Sequence, residues 1–309
     1  MTSETSNEDE NRKLVHRLAE SGLREQRASR RWNVFFRILL FGYIFGLSAV
    51  LLIDSPDSIP YSVPHAAVVE INGVIAAGGE NDSREINTAL RAAFENESSM
   101  GVILKINSPG GSPVESNRIY RELRRLREKY PDKKSYAVAG DYCASGGYYA
   151  AAGADEIYVD ENSIVGSIGV IVSGFGFVDA LEKLGVERRV YTAGDNKNTL
   201  DPFLPALSKD ERKLKRLLSE VHDNFVAAVR EGRGERLSHG NELFSGAIFS
   251  GRESVILGLA DGVGDAGYVA REVIGVEEIV FYNGESDILD KVIDRIGTKV
   301  LTFVEPVLR

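Results

Sequence analysis

The chain has little of several residue types that define common classes of functional site. Its 309 residues include one cysteine, Cys143, so neither an intrachain disulfide nor a cysteine-rich metal site can form. Histidine is also scarce, with four in all, and the acidic residues form no paired metal-ligand motif. We therefore expect no metal ion and no other cofactor.

An excess of positive charge is missing as well. The sequence holds 46 acidic and 37 basic residues, for a net charge of −9, and no basic stripe with interleaved aromatic residues is visible. This pattern argues against nucleic acid as a partner. With 43% hydrophobic residues, the length suits one large α/β domain with appendages.

One long apolar run, residues 32–53, is present. About twenty residues are enough to cross the hydrocarbon core of a bilayer. A cleaved signal peptide is the rival interpretation, but no small-residue cleavage pattern follows Ile53. Basic residues concentrated before the run place the N-terminus in the cytoplasm: Arg24, Arg27, Arg30 and Arg31. The run therefore predicts a transmembrane signal anchor.

Beyond the apolar run, strand and helix patterns alternate. Strands are predicted at residues 67–71, 101–106, 135–138, 156–159 and 188–191. Helices are predicted at residues 83–94, 115–129, 145–152 and 208–231. This alternation predicts a mainly parallel sheet with helices packed on it. A further apolar helix face near the C-terminus is compatible with packing on its own domain, with a subunit contact or with a membrane-surface contact.

The position of one serine, where a strand meets a helix, indicates nucleophilic catalysis. Ser145 lies among small residues where a strand gives way to a helix, and a helix N-terminus stabilises negative charge that develops beside it. Upstream, the glycines of the turn at residues 107–112 let backbone N–H groups approach a ligand closely. Such a turn can form half of an oxyanion hole.

The base that would activate this serine is less evident. None of the four histidines, His16, His65, His222 and His239, is well placed along the chain, although a Ser-His-Asp triad stays open because triads are recognised by geometry. Lys197 is the other candidate. A lysine that acts as a base must have a pKa several units below the ordinary value of about 10.4, which desolvation can achieve. We therefore expect the nearby Asp195 and Asp201 to point away from its amine.

Four motifs occur in an order that resembles the signal peptide peptidase A family, in its short, single-repeat bacterial form. They are Asn-Ser-Pro-Gly-Gly-Ser at 107–112, Ala-Ser-Gly-Gly-Tyr-Tyr at 144–149, Val-Gly-Ser-Ile-Gly-Val at 165–170 and Gly-Asp-Asn-Lys at 194–197. The resemblance covers about residues 66–275. It implies a ClpP/crotonase-like α/β domain with a mainly parallel sheet, preceded by one transmembrane helix.

The resemblance also implies a role for each motif residue. Ser145 is expected as the nucleophile and Lys197 as the general base. Gly111 and Gly146 would donate the oxyanion-hole hydrogen bonds, and Ser167 would orient the lysine amine.

A domain organisation follows from these expectations. Residues 1–31 form a cytoplasmic N-terminal segment and residues 32–53 the anchor. A linker follows at 54–65, then the Ser/Lys peptidase domain at 66–275, and a C-terminal strand and amphipathic helix at 276–309. The family resemblance places the chain in the bacterial inner membrane as a single-pass protein, with the catalytic domain outside the cytoplasm.

The expected partners are peptide substrates, above all signal peptides left after processing, and the lipid bilayer. Because long family members draw serine and lysine from different repeats, a single-repeat chain is expected to form a homo-oligomeric ring with shared active sites. Two other functions stay open: a crotonase-type acyl-CoA enzyme and an inactive membrane-anchored scaffold.

Overall fold

A computed structural model of the chain describes residues 32, 34–45, 63–238 and 240–282. The chain divides into two units, Met1–Ile59 and Pro60–Arg309. In the first unit, residues 34–45 form a helix with exposed side chains. Over the described residues, no helix combines the length and the apolar character needed to cross a bilayer. Part of the anchor predicted at 32–53 lies outside the described residues, and it stays a prediction.

The second unit is built on an eight-stranded sheet. Its order is β6-β5-β3-β2-β1-β8, with β4 beside β3 and β7 beside β4. Among the described strands, every pairing is parallel except that of β5 with β6. The strands are β1 His65–Asn72, β2 Ser99–Ser108, β3 Ser135–Ala144, β4 Glu156–Val159, β5 Ile164–Gly166, β6 Ile248–Ser250, β7 Gly262–Val263 and β8 Ile279–Phe281. The prediction of a mainly parallel α/β sheet is therefore confirmed.

Helices follow most of the strands. Side-chain caps fix where several of them begin. For example, Asp82 accepts from the Arg84 amide and Ser112 from the Glu115 amide. The helices are α1 Ser83–Glu95, α2 Pro113–Lys129, α3 Gly146–Ala151, α4 Val178–Lys183, α5 Ser208–Arg233, α6 Gly251–Ile256 and α7 Ala266–Tyr268, which continues into a π-helix, Val269–Ile274. Short 3₁₀ turns lie at Gly234–Arg236 and Asn241–Phe244.

Both faces of the sheet are covered. On one face, Ile103 packs in a buried cluster with Val269 and Ala270 of the π-helix. On the other, Ile106 lies beneath α3, close to Gly147. Because side chains alternate along a strand, Ile103 and Ile106 point to opposite faces of β2. The C-terminal ends of β2 and β3 are thereby fixed against α3.

The end of α5 is tied firmly to α3 and to the segment after α6. Tyr149 stacks on Phe225 with ring centroids 4.6 Å apart and an interplanar angle of 5°. Arg233, only 1% exposed, donates to both carboxylate oxygens of Asp261. Asp261 also accepts a hydrogen bond from the Ile157 amide at 2.7 Å. This buried ion pair therefore joins α5 to β4 and β7.

A long stretch between these packed elements is open to solvent. Between Ile168 and Phe225 no residue is buried. We call residues 169–207 the arm. Within it, Phe177 stacks on Phe203 with centroids 5.3 Å apart, and the Phe177 amide donates to the Pro202 carbonyl at 2.7 Å. The arm therefore has a small cluster of its own but contributes nothing to the core.

Most elements predicted from the sequence occur in the structure, and one prediction is wrong. Residues 188–191 form no strand but belong to the exposed arm. The edge of β5 that faces away from β3 is taken by β6, which pairs antiparallel with it, so residues 188–191 do not extend the sheet at that position. The predicted helix over 145–152 begins at Gly146. Within the predicted C-terminal segment 276–309, β8 adds to β1, and the predicted helix lies outside the described residues.

Candidate active site

Ser145 occupies the junction of β3 and α3 in an unusual backbone conformation. Its φ of 51° and ψ of −120° lie outside the regions that residues with a side chain normally adopt, so the turn is strained. The Ser145 amide donates to the Gly166 carbonyl at 2.8 Å, and its carbonyl accepts from the Tyr149 amide at 2.9 Å. Both backbone groups are thus fixed, and the half-buried side chain projects from a rigid elbow.

Glycines make room for this elbow. A Cβ on Gly110, whose φ is +112°, would lie 2.7 Å from Ser145 Cβ. A Cβ on Gly146 would collide with Ser116 Oγ, and one on Gly147 would lie 3.0 Å from the Ser108 carbonyl oxygen. The sequence pattern around the serine therefore reflects a close approach of two backbone segments.

Two backbone amides beside Ser145 are available as hydrogen-bond donors. Within the described residues, neither the Gly111 nor the Gly146 amide has an acceptor. Their segments are in contact, because a Cβ on Gly146 would lie 3.1 Å from Gly111 N. Paired N–H donors next to a nucleophile can stabilise the oxyanion of a tetrahedral intermediate.

Ile75 holds the glycine turn in place. Its amide donates to the Gly110 carbonyl at 2.9 Å, and its carbonyl accepts from the Ser112 amide at 2.8 Å. The Ile75 side chain is fully buried. No sequence motif marks this residue, although an apolar side chain between Gly73 and Gly78 is a signal that the loop folds back onto the core.

Ser167 lies close to Ser145 in the sheet register. Ala144 of β3 pairs with Gly166 of β5, so the residues that follow each strand, Ser145 and Ser167, are neighbours. Ser167 has a φ of 50°, and its amide donates to the Ala247 carbonyl at 2.7 Å. The structure thus brings Ser145, Gly111, Gly146 and Ser167 together.

Lys197 is placed differently. It is exposed on the arm, where its amide donates to the Gly194 carbonyl at 3.2 Å. Across the described residues, its side chain makes no hydrogen bond or ion pair with Ser145 or Ser167. Asp201 is engaged elsewhere, since it accepts from the Phe203 amide and from Arg188, both at 3.0 Å. These two hydrogen bonds hold the pKa of Asp201 below its ordinary value.

The described histidines are engaged in packing. His65 is fully buried at the start of β1, with Nδ1–H donating to the Val63 carbonyl at 2.7 Å and Nε2 lying 2.9 Å from Tyr282 Oη. His222 on α5 donates through Nε2 to the Ile168 carbonyl at 3.1 Å. Neither bonds to Ser145 in the part of the chain that the structure describes, and His16 and His239 lie outside it.

Cys143 and the acidic residues add no further chemistry to this site. Cys143 is buried two residues before Ser145, and burial raises the pKa of its thiol to about 12. A buried thiol of this kind is inert as a nucleophile. Over the described residues, no group of three or more histidine, cysteine, aspartate or glutamate side chains could hold a metal ion.

A strained serine elbow lies at the carboxyl ends of parallel strands, beside two amides that have no acceptor among the described residues. This arrangement resembles the nucleophile elbow of α/β serine hydrolases. Comparison with known proteins makes this assignment specific. Residues 127–275 match the model of peptidase family S49.

Relatives extend the similarity beyond this range. A candidate protease of Synechocystis is 34% identical over 214 residues, which is 68% of this chain and 75% of the relative. A candidate signal peptide peptidase of Enterococcus faecium is 35% identical over 63% of this chain and 59% of its own length. A Na⁺/H⁺ antiporter of Brucella abortus is 44% identical over 67% of this chain but only 29% of its own length. The chain thus spans less than two thirds of the Brucella and E. faecium relatives. It belongs to peptidase family S49.

Proposed function

We propose that this chain is a membrane-anchored endopeptidase that cleaves remnant signal peptides and other extended peptides with a Ser145/Lys197 dyad. One observation carries the proposal. Ser145 is held in a strained elbow beside the free amides of Gly111 and Gly146, which is the geometry that acyl transfer requires.

Each residue has a defined step in this mechanism. The neutral amine of Lys197, oriented by Ser167, takes the proton of Ser145 as Oγ attacks the peptide carbonyl carbon. The Gly111 and Gly146 amides stabilise the oxyanion that forms. Lys197 then protonates the leaving amine, which departs and leaves an acyl-enzyme. The same lysine activates a water for deacylation, so no cofactor takes part.

The position of Lys197 supports a site that is shared between subunits. The arm carries this lysine and buries none of its residues in the chain's own core. Its exposed apolar side chains include Ile171, Phe175 and Tyr191, which are 83%, 81% and 92% exposed. A contact between the arm of one copy and the Ser145 face of the next is heterologous and closes into a ring when the rotation allows.

The proposed location rests on the sequence, and the proposed substrate rests on a relative. The apolar run at 32–53, with its preceding arginines, supports a single-pass anchor in the bacterial inner membrane, with the peptidase domain outside the cytoplasm. The candidate signal peptide peptidase of E. faecium suggests signal peptides as substrates. An extended peptide can add as a strand beside the glycine turn, with its alternate side chains entering pockets.

The test uses the full-length chain in detergent, with a fluorophosphonate probe and a fluorogenic peptide. Ser145→Ala should abolish both labelling and hydrolysis, and Lys197→Ala should abolish hydrolysis while circular dichroism stays unchanged. The double variant should be no worse than either single one, because the two groups act as a unit. Lys183→Ala, an exposed lysine on the same arm, is the matched control and should retain activity.

Three other outcomes would contradict the Ser145/Lys197 dyad, and each would indicate a different alternative. An active Lys197→Ala, together with loss of activity on replacing a histidine, would indicate a triad. An unlabelled and inactive wild-type protein would indicate a scaffold, and turnover of an acyl-CoA thioester in place of a peptide would indicate a crotonase-type enzyme. Since a lysine base acts only when neutral, kcat/KM should also rise with pH, and a rate that climbs towards acid pH would exclude this mechanism.

A further inference from the structure

The loop between β1 and α1 closes on itself through one buried side chain. Asn81 is 5% exposed, and its amide group spans the start of the loop. Oδ1 accepts from the Asn72 amide at 3.0 Å, and Nδ2 donates to the carbonyls of Asn72 at 2.6 Å and Val74 at 3.3 Å. Three hydrogen bonds from one buried side chain therefore fix the path of the chain from Asn72 to Val74.

The next residue along this path is Ile75, which contacts the glycine turn. Its two backbone hydrogen bonds, to Gly110 and from Ser112, lie on either side of Gly111. The conformation of the Gly111 amide is thus determined by where Ile75 lies. Because Asn81 fixes the residue directly before Ile75, a hydrogen-bonded path leads from Asn81 to the oxyanion donor.

The other end of the loop is anchored as well. Asp82 accepts from the Gly78 amide at 2.7 Å and caps α1. The Ser83 amide donates to Glu115 on the first turn of α2 at 3.2 Å. Since α2 begins directly after the glycine turn, the loop is held at both ends against the same segment. Rigid support of this kind is what preorganised donors need.

We propose that Asn81 is a positioning residue for the oxyanion hole, which it serves by holding Ile75 against Gly110 and Ser112. The proposal rests on the assignment of Gly111 as an oxyanion donor. Among the described residues, the Asn81 side chain bonds to the backbone of Asn72 and Val74 and not to Ser145. We therefore expect it to act on the transition state and not on peptide binding. Its loss should therefore lower kcat and leave KM largely unchanged.

The decisive variant is Asn81→Asp, made in the full-length protein. Aspartate has the same shape and keeps the acceptor for the Asn72 amide, but it cannot donate to the two carbonyls. We expect kcat to fall about 10- to 100-fold, since removal of a whole oxyanion donor lowers kcat by about 10²–10³, with KM within about threefold. A peptide aldehyde, whose adduct with Ser145 places an oxygen in the same hole, should lose affinity by the factor by which kcat falls.

Asn96→Asp is the matched control. Asn96 also uses its amide group to hold a loop, accepting from the Ser98 amide at 2.9 Å and donating to Tyr282 Oη at 2.7 Å. It lies just before β2, at the opposite end of this strand from the glycine turn. This variant should keep its kcat and its affinity for the aldehyde. In a Ser145→Ala background, Asn81→Asp should bind the substrate peptide as well as its parent does.

Three results would overturn the proposal: an unchanged kcat, a fall in kcat without loss of aldehyde affinity, or an equal fall in Asn96→Asp. If Asn81→Asp does not fold, Ile75→Val tests the same path. It trims the buried side chain behind the turn and should lower kcat and aldehyde affinity in parallel by a few-fold, whereas no change would contradict the proposal. The proposed function fails separately, if wild-type Ser145 is not labelled or if Ser145→Ala retains turnover.

Discussion

The proposed nucleophile, Ser145, and the proposed base, Lys197, lie in two regions that are built in opposite ways. Every residue of α3, the helix that follows Ser145, is buried, and both backbone groups of Ser145 are hydrogen-bonded. The arm that carries Lys197 buries none of its residues. The surroundings of Ser145 are therefore provided by its own chain, whereas Lys197 lies on a segment that packs on no core of its own chain. This contrast supports the proposal of a site completed by a second copy.

The largest difference in activity is expected between substitution of a glycine beside Ser145 and substitution of a glycine on the arm. Gly110→Ala places a Cβ 2.7 Å from Ser145 Cβ at a φ of +112°. The elbow at Ser145 and the glycine turn must therefore move apart. We expect kcat/KM to fall by about 10² or more. Gly174→Ala, where an added Cβ meets no atom within 4 Å, should stay within about twofold. Peptide hydrolysis with circular dichroism measures both, and similar losses in the two variants would mean that the contrast between the regions is false.

Subunit mixing tests the arm directly. Ser145→Ala and Lys197→Ala proteins, each inactive, are combined under conditions that allow exchange of subunits. If the site is shared, roughly a quarter of the interfaces pair an intact serine with an intact lysine, and hydrolysis should recover to about that fraction of the wild-type rate. Absence of recovery, with exchange demonstrated by differently tagged copies, would mean that each chain completes its own site.

An ion pair in the packed part of the domain and one on the arm should differ in their contribution to stability. Asp261→Asn leaves Arg233, which is 1% exposed, without its partner. Loss of one member of a buried pair lowers the free energy of unfolding by about 3 kcal/mol or more. Asp201→Asn on the arm breaks a pair with Arg188, which is 47% exposed. It should lower the free energy of unfolding far less, because exposed ion pairs contribute little to stability. Urea unfolding measures both, and equal losses would contradict the assignment of the arm to the periphery of the fold.

Much of the fold around Ser145 could be predicted from the sequence, because the signals for it are local. Apolar runs marked the central strands, and glycines beside Ser145 marked a close approach of backbones. The strand predicted at 188–191 failed for a non-local reason, since β6 arrives from about eighty residues further along to take the edge of β5. Periodicity contains no information on which distant segment occupies an edge.

The supports of the glycine turn were beyond prediction for a related reason. Asn81 and Asp82 are typical of any turn before a helix. Only the three-dimensional path of the loop shows that Asn81 bonds back to Asn72 and Val74. The link between Ser167 and Ala247 likewise depends on the pairing of β5 with β6.

The smallest effect concerns how the buried ion pair responds to pH. Burial raises the pKa of Asp261, but the hydrogen bond and the charge of Arg233 outweigh it, so the pKa lies below its ordinary value. A carboxyl group whose pKa is lowered on folding contributes stability above its unfolded pKa of about 3.9, and this contribution disappears as the pH falls through the folded pKa. The stability difference between wild type and Asp261→Asn should therefore be constant near neutral pH and shrink below about pH 4. For Asp201, whose pKa is also lowered, the change should have the same sign and be smaller. Urea unfolding from pH 7 to pH 3 measures both differences. If the difference for Asp261 stays constant over this range, the charge of the carboxylate is not what stabilises the junction of α5 with β4 and β7.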